Sequence, residues 1–213
     1  RHAQGRLLSK KQLAAELGLK GEVRADDFAR MSEGKHPRTG EQLVSQRLPH
    51  EYKTADGKTV KTMGHRAAWD ATFSAPKSVS LTALVGGDER VREAHRDAVR
   101  VAVDKMEAYV QARMGGNHPP ENTRNWAAAK FEHDTARPVD GYAAPQLHTH
   151  VVFFNMTETR DGGFRAIQSK ELYRSQQYGT AVYRSELAWR VKELGYELQV
   201  GKNGAPEIKR RSG

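Results

Sequence analysis

His148 and His150 sit two residues apart in Pro145-Gln146-Leu147-His148-Thr149-His150, just ahead of Val151-Val152-Phe153-Phe154. That β-branched and aromatic run predicts a strand over residues 148–156. Side chains at i and i+2 leave a strand on the same face, so the two imidazoles project together, roughly 7 Å apart along the chain. Such a pair suits a shared metal ion. A third ligand has to come from another element, and the end of a neighbouring strand is the natural source. His133 closes a strand predicted over 126–133, and a loop of ordinary length joins it to the His148 strand. The two strands are therefore expected to be antiparallel neighbours.

Three imidazoles favour a borderline divalent ion such as Mn, Ni, Co or Zn over Mg, which prefers oxygen ligands. A site with only three protein ligands keeps positions open for substrate oxygens and can polarise a phosphoryl group. A His-x-His pair taken alone is more often structural than metal-binding, so the pair by itself leaves both readings open. The other histidines (His2, His36, His50, His65, His95 and His118) have no such spacing. His95, on a predicted long helix, reads as a solvated or core-edge residue.

The elements that must hold these groups alternate without a strict βαβ rhythm. Short helices are predicted over 9–17, where Ser9 and Gln12 form a capping box, and over 25–31. Residues 34–64 read as loop with a hairpin near Asp56-Gly57. A strand over 69–74 runs into Ser74-Ala75-Pro76, where serine caps a helix reaching about Val85. A long helix is expected over 88–114, with Val91, Ala94, His95, Ala98, Val101, Ala102 and Met106 at helical spacing. After the histidine strand, Asp161-Gly162-Gly163 reads as a hairpin turn into a strand over 164–167. A helix over 171–194 and a hairpin about Lys202-Asn203-Gly204 complete the chain. This order predicts an α+β domain, a mostly antiparallel sheet with helices against one face.

The chain has 213 residues, no cysteine and a formal net charge of +9. Disulfides, zinc–thiolate sites and iron–sulfur clusters are excluded, and a reducing, intracellular setting fits. The basic excess favours nucleic acid as partner. No apolar run is long enough to span a membrane, so no membrane insertion is expected.

Phe131-Glu132-His133, Pro145-Gln146-Leu147-His148-Thr149-His150 and Asn155-Met156-Thr157 together resemble the third motif of conjugative relaxases of the TrwC/TraI (MobF) class. Asp70-Ala71-Thr72-Phe73-Ser74-Ala75-Pro76-Lys77-Ser78-Val79-Ser80 is similar to that family's second conserved segment. Leu17-Gly18-Leu19-Lys20-Gly21-Glu22-Val23, Tyr183-Arg184-Ser185-Glu186-Leu187 and Leu194-Gly195-Tyr196 follow in the family's order. The likeness runs over nearly the whole chain.

The resemblance implies an HUH endonuclease: a five-stranded, mostly antiparallel sheet flanked by helices, with the histidine triad on its central strands. It implies nicking of one strand at a conjugative origin of transfer, through a tyrosine that keeps the 5′ phosphate. His133, His148 and His150 would hold one divalent metal ion (Mn, Mg, Zn or Ni), and Asp70 would orient a ligand histidine or assist proton removal from the tyrosine. The implied partners are origin DNA, single-stranded with an adjacent hairpin, and other relaxosome proteins, in the bacterial cytoplasm. In this family the nucleophile lies upstream of the segment matching Arg1 to Val23. Tyr52, Tyr109, Tyr142, Tyr173, Tyr178, Tyr183 and Tyr196 do not occupy that position. The expectation is a single relaxase domain over 1–213 without the nucleophile segment and without the fingers or helicase regions.

DNA contacts are expected from Lys77, in the first turn after Ser-Ala-Pro, and from Arg165 on the hairpin after the histidine strand. Lys130, Arg137 and Lys170 lie close to motif positions. Two other readings stay open: a single-stranded-DNA-binding module without a nucleophile, and an unrelated three-histidine metalloenzyme.

Overall fold

The structure, a computed structural model, describes residues 13, 17–19, 21–46, 48–62 and 64–209, and the backbone of 6–8. Strand β1 (Arg6–Leu8) is followed by helix α1 (Ala25–Ser32), the hairpin β2 (His50–Lys53) and β3 (Thr59–Thr62), and strand β4 (Ala68–Ser74). Helices α2 (Lys77–Leu84) and α3 (Glu89–Met106) come next, then the short strands β5 (Gln111–Ala112) and β6 (Glu121–Asn122). Two long strands follow, β7 (Ala128–Thr135) and β8 (Pro145–Phe154). The chain continues through β9 (Thr157–Glu158), β10 (Phe164–Arg165), helix α4 (Ser169–Glu193), β11 (Leu198–Val200) and β12 (Pro206–Ile208). Most of the helix expected over 9–17 lies outside the described residues. Within it, the Leu17 amide donates to the Leu13 carbonyl.

The main sheet is antiparallel with strand order β1-β7-β8-β4, four strands among the described residues where the resemblance implied five. The α+β class is as expected. β8 holds a central place because both of its faces have work. Leu147, Thr149, Val151 and Phe153 are all buried and alternate with the histidines. They meet α3 and α4 in one core with Val91, Ala94, Ala98, Ala102 and Leu187, and Trp126 stacks on Phe153 with centroids 4.1 Å apart.

The helices do not keep to one face, as the sequence suggested. Ala129 and Phe154, on the histidine face, form a second core with Leu13, Leu17, Met31 and Met156, against which Phe28 of α1 and Phe131 pack. Phe28 meets Phe131 and Phe154 edge-on at 5.8 and 5.2 Å. The second core covers the end of that face near Phe154, while the end carrying His133, His148 and His150 remains partly accessible.

Two local expectations change. The long helix stops at Met106 rather than running to Met114, and Asp88 is its N-cap, accepting from the Arg90 amide. The apolar helical spacing itself ends at Met106. Beyond it, backbone pairing takes over: Gln111 and Ala112 pair with Asn122 and Glu121, and the Arg113 amide donates to the Ala166 carbonyl. At the Ser-Ala-Pro turn, Ser74 ends β4 and does not cap. Pro76 is the N-cap of α2, and the Ser78 amide donates instead to Oε2 of Glu207, 3.0 Å away on β12. The three hairpin turns fall where expected, and Gly57 and Gly162 take φ of +80° and +79°, which an L residue adopts only with strain.

Candidate metal centre

Register assembles the site. His133 lies directly opposite His148 in the β7–β8 pair, and His150 lies opposite Phe131 on one side and Thr72 on the other. Directly opposite residues share a face, so the three imidazoles and Asp70 gather on the same side of the sheet. Ring centroids are 5.1 Å apart for His133–His148, 5.4 Å for His133–His150 and 5.3 Å for His148–His150. The separation of His148 from His150 is shorter than the strand rise alone would give, because the rings lean toward one another.

Hydrogen bonds set the tautomers of two of the three. Nδ1 of His148 is 3.0 Å from the Gln146 carbonyl oxygen, and Nδ1 of His150 is 2.8 Å from Oδ2 of Asp70. A carbonyl and a carboxylate only accept, so each Nδ1 carries the proton and each Nε2 is left with its lone pair. Thr72 Oγ1 lies 3.2 Å from the same His150 nitrogen. Burial, then the neighbouring His148 and His150, push the pKa of His133 below the ordinary imidazole value, which keeps it neutral and able to ligate.

The donor chemistry fits a divalent ion, but the rings are not yet closed around one. Among the described residues no group of three His, Asp or Glu side chains converges as a formed metal site. The rings of His133 and His148 are stacked with only 19° between their planes, while His150 is edge-on to both. A metal sits near the plane of each ligating imidazole at about 2.1 Å. The three side chains therefore have to adjust their ring orientations for the triad to close on one ion.

The cations expected to meet DNA are spread over three places. Lys77 opens α2 at the triad end, where its Nζ donates to the Pro145 carbonyl at 2.9 Å. Arg137 is exposed on the hairpin that carries β7 into β8, past the same end. Arg165 lines a cavity of about 570 Å³ with Arg66, Arg113 and Trp69 at the far end of the sheet, and exposed Lys170 lies in the first turn of α4 beside it. Lys130 pairs with Val151, not with a histidine, and so stands on the helix-covered face, opposite the triad. The alternation that puts His133 on one face puts Lys130 on the other.

Several residues with a bearing on the site were missed in the sequence. His95 is fully buried rather than solvated, with Nδ1 2.8 Å from the Tyr183 hydroxyl and Nε2 2.9 Å from Oγ1 of Thr149. Burial pushes its pKa down to about 4. Glu132, next to His133, is bound by Arg92 and Arg96 of α3. Burial alone would raise its pKa, but the hydrogen bonds from Arg96 and Arg92 outweigh it and hold the carboxyl below its usual value. One signal was available: the alternation that aims His133 at one face sends Glu132 to the other, where an acid needs a cation.

Residues 2–212 match the family model described as TrwC relaxase. The chain is 39% identical over 210 residues to the multifunctional conjugation protein TraI of Escherichia coli, covering 92% of this chain and 11% of that protein. It thus spans about a tenth of the length of that relative. A metal-bound structure of the conjugative relaxase TrwC in complex with oriT DNA superposes with a TM-score of 0.78 at 37% identity, covering 98% of this chain and 68% of that one. TrwC complexed with a 27-mer DNA comprising the recognition hairpin and the cleavage site gives a TM-score of 0.78 at 37% identity, over 98% and 69% of the two chains.

Proposed function

The chain belongs to the TrwC relaxase family, and on that premise we propose that it binds single-stranded origin-of-transfer DNA on its open histidine face and activates the scissile phosphate for nicking. One observation carries the reading. His148 and His150 both place their Nδ1 protons on protein oxygens, so their two Nε2 lone pairs are free, with His133 close by on the same face as Asp70. An imidazole set of this kind suits Mn, Ni or Zn better than Mg. A divalent ion held there would draw charge from a nonbridging phosphate oxygen.

The protein's own part is orientation. Asp70 holds the His150 ring and its tautomer, an orienting role that its hydrogen bond favours over proton removal from the nucleophile. Lys77 and Arg137 supply positive charge at the triad end, where the phosphate would sit; Arg165 and Lys170 would meet the strand farther along the sheet. Partners in this reading are origin DNA with its hairpin and other relaxosome proteins, in the bacterial cytoplasm. Among the described residues no helix is long and apolar enough to cross a membrane.

None of the seven tyrosines of this sequence stands in the family's nucleophile position, and in this reading none of them supplies the attacking hydroxyl. The hydroxyls of Tyr173, Tyr183 and Tyr196 are already engaged with Arg66, His95 and Asp88. In isolation the chain would then act as a DNA- and metal-binding module that does not form the covalent intermediate. The test is incubation with a labelled single-stranded origin oligonucleotide and Mn²⁺. Saturable binding without a covalent adduct is expected. An adduct abolished by substituting one of the tyrosines would overturn the nucleophile assignment, and absence of oligonucleotide binding would favour an unrelated three-histidine metalloenzyme.

A further inference from the structure

We infer that one turn of α3, carrying Arg92, His95 and Arg96, is the positioning device of the histidine triad, acting through the sheet from its opposite face. The inference rests on the metal-site reading above and adds residues that touch neither metal nor DNA. Arg92 bridges the two carboxylates that flank His133, with Nε 2.6 Å from Oε1 of Glu132 and Nη2 2.6 Å from Oδ1 of Asp134. Arg96 grips the same Glu132 through Nε at 2.8 Å and Nη2 at 3.0 Å. The strand is irregular at this point: register shifts between His133 and Thr135, so the backbone just after the ligand is not held by regular pairing. Bulges of this kind re-aim side chains, and Arg92 clamps this one from both sides.

The second strand is held in the same way. Thr149, between His148 and His150, points to the helix side and is 2% exposed. Its Oγ1 meets Nε2 of His95, whose Nδ1 meets the Tyr183 hydroxyl on α4. The buried imidazole thus joins α3, α4 and β8 at the residue between two ligands. Both ligand strands are tied to one helical turn, and that turn fixes how far apart, and at what rotation, the strands present their rings. A buried polar contact that lost one partner would leave another unsatisfied, so the arrangement has little freedom to slip.

Three measurements on the 213-residue chain test this. Mn²⁺ affinity is measured by calorimetry, histidine ring nitrogens are followed by NMR in the metal-free protein, and thermal melting is recorded. The variants are Arg92→Met, His95→Leu, His95→Gln and, as a core control one turn from Tyr183 that removes packing but no hydrogen bond, Leu187→Ala. Arg92→Met and His95→Leu are expected to weaken Mn²⁺ binding at least tenfold, in the range seen for outer partners of metal ligands. They should also shift the ring signals of His133 and His148 or His150. His95→Gln keeps a polar group between Tyr183 and Thr149 and should restore most of the affinity. Leu187→Ala should lower the melting temperature and leave affinity and ring signals unchanged. Should Arg92→Met or His95→Leu fail to fold, Thr149→Val and Tyr183→Phe remove single partners of the relay and carry the same expectation. Unchanged affinity and ring signals in the folded variants would overturn the inference, as would an equal loss of affinity in Leu187→Ala. If the parent chain bound no Mn²⁺ while the ring signals still responded to Arg92→Met and His95→Leu, the metal reading would fall and the positioning role would stand.

Discussion

Oδ2 of Asp70 stands 2.8 Å from Nδ1 of His150 across the β4–β8 pair. The contact decides which nitrogen of His150 is free, because the carboxylate fixes the proton on Nδ1. Asp70→Ala removes that constraint and leaves the ring to choose tautomer and rotation. Mn²⁺ affinity should drop by a factor of about 10–100, with Asp70→Asn in between because its amide offers an acceptor and a donor alike. Calorimetry at neutral pH on folded variants checks this, and equal affinity for all three proteins would show that Asp70 does not orient the ligand.

Two lysines separate DNA contact from mere proximity in sequence. Lys77→Ala should weaken single-stranded DNA binding at every sequence and reduce the slope of log affinity against log salt by about 0.7. Lys130→Ala should leave that slope unchanged, since Lys130 stands on the face turned away from the histidines. A salt series on both variants with one oligonucleotide reads the two outcomes side by side.

The candidate site was legible because its parts are local. His148 and His150 are two apart on one strand, and the hairpin places His133 opposite His148, so period-two alternation reaches all three. Asp70 needed the motif resemblance, because its strand is distant in sequence and nothing in its neighbours points to His150. The fold class followed from hydrophobic period and turn residues. What stayed hidden depends on tertiary partners. His95 looks like any helix residue until Thr149 and Tyr183 close around it, and the end of α3 is set by pairing of Gln111 and Ala112 with a strand ten residues on. The cap of α2 comes from Glu207, which no local rule anticipates.

Acid should loosen the fold through its buried histidine. The pKa of His95 is about 4 in the folded chain against an ordinary 6.5. The unfolded chain therefore binds the proton first. The stability from keeping His95 neutral is fully present above pH 6.5 and is lost as pH falls toward 4, at up to about 1.4 kcal/mol per pH unit. The pKa of His133 is lowered too and adds to the slope with the same sign. Urea denaturation across this window should show a shallower pH dependence for His95→Gln than for the parent chain. Identical profiles would contradict the burial-driven shift.

Glu207→Ala should cost about 1 kcal/mol, the usual cost of losing a helix N-cap. Its carboxylate receives the Ser78 amide at the start of α2, and the Ser78 hydroxyl, which donates to the same carboxylate, accepts from the Ile208 amide at 2.7 Å. The helix it caps begins at Lys77, so the same variant should also weaken DNA binding modestly. Denaturant melts together with one binding isotherm check both effects.

Three imidazoles sharing one ion are the centre of the proposed chemistry. Crystals soaked in Mn²⁺ and recorded near the manganese absorption edge test it most directly. The expected result is a single strong anomalous peak about 2.1 Å from nitrogens of His133, His148 and His150. A peak elsewhere, or none at a concentration that saturates binding in solution, would contradict the central claim.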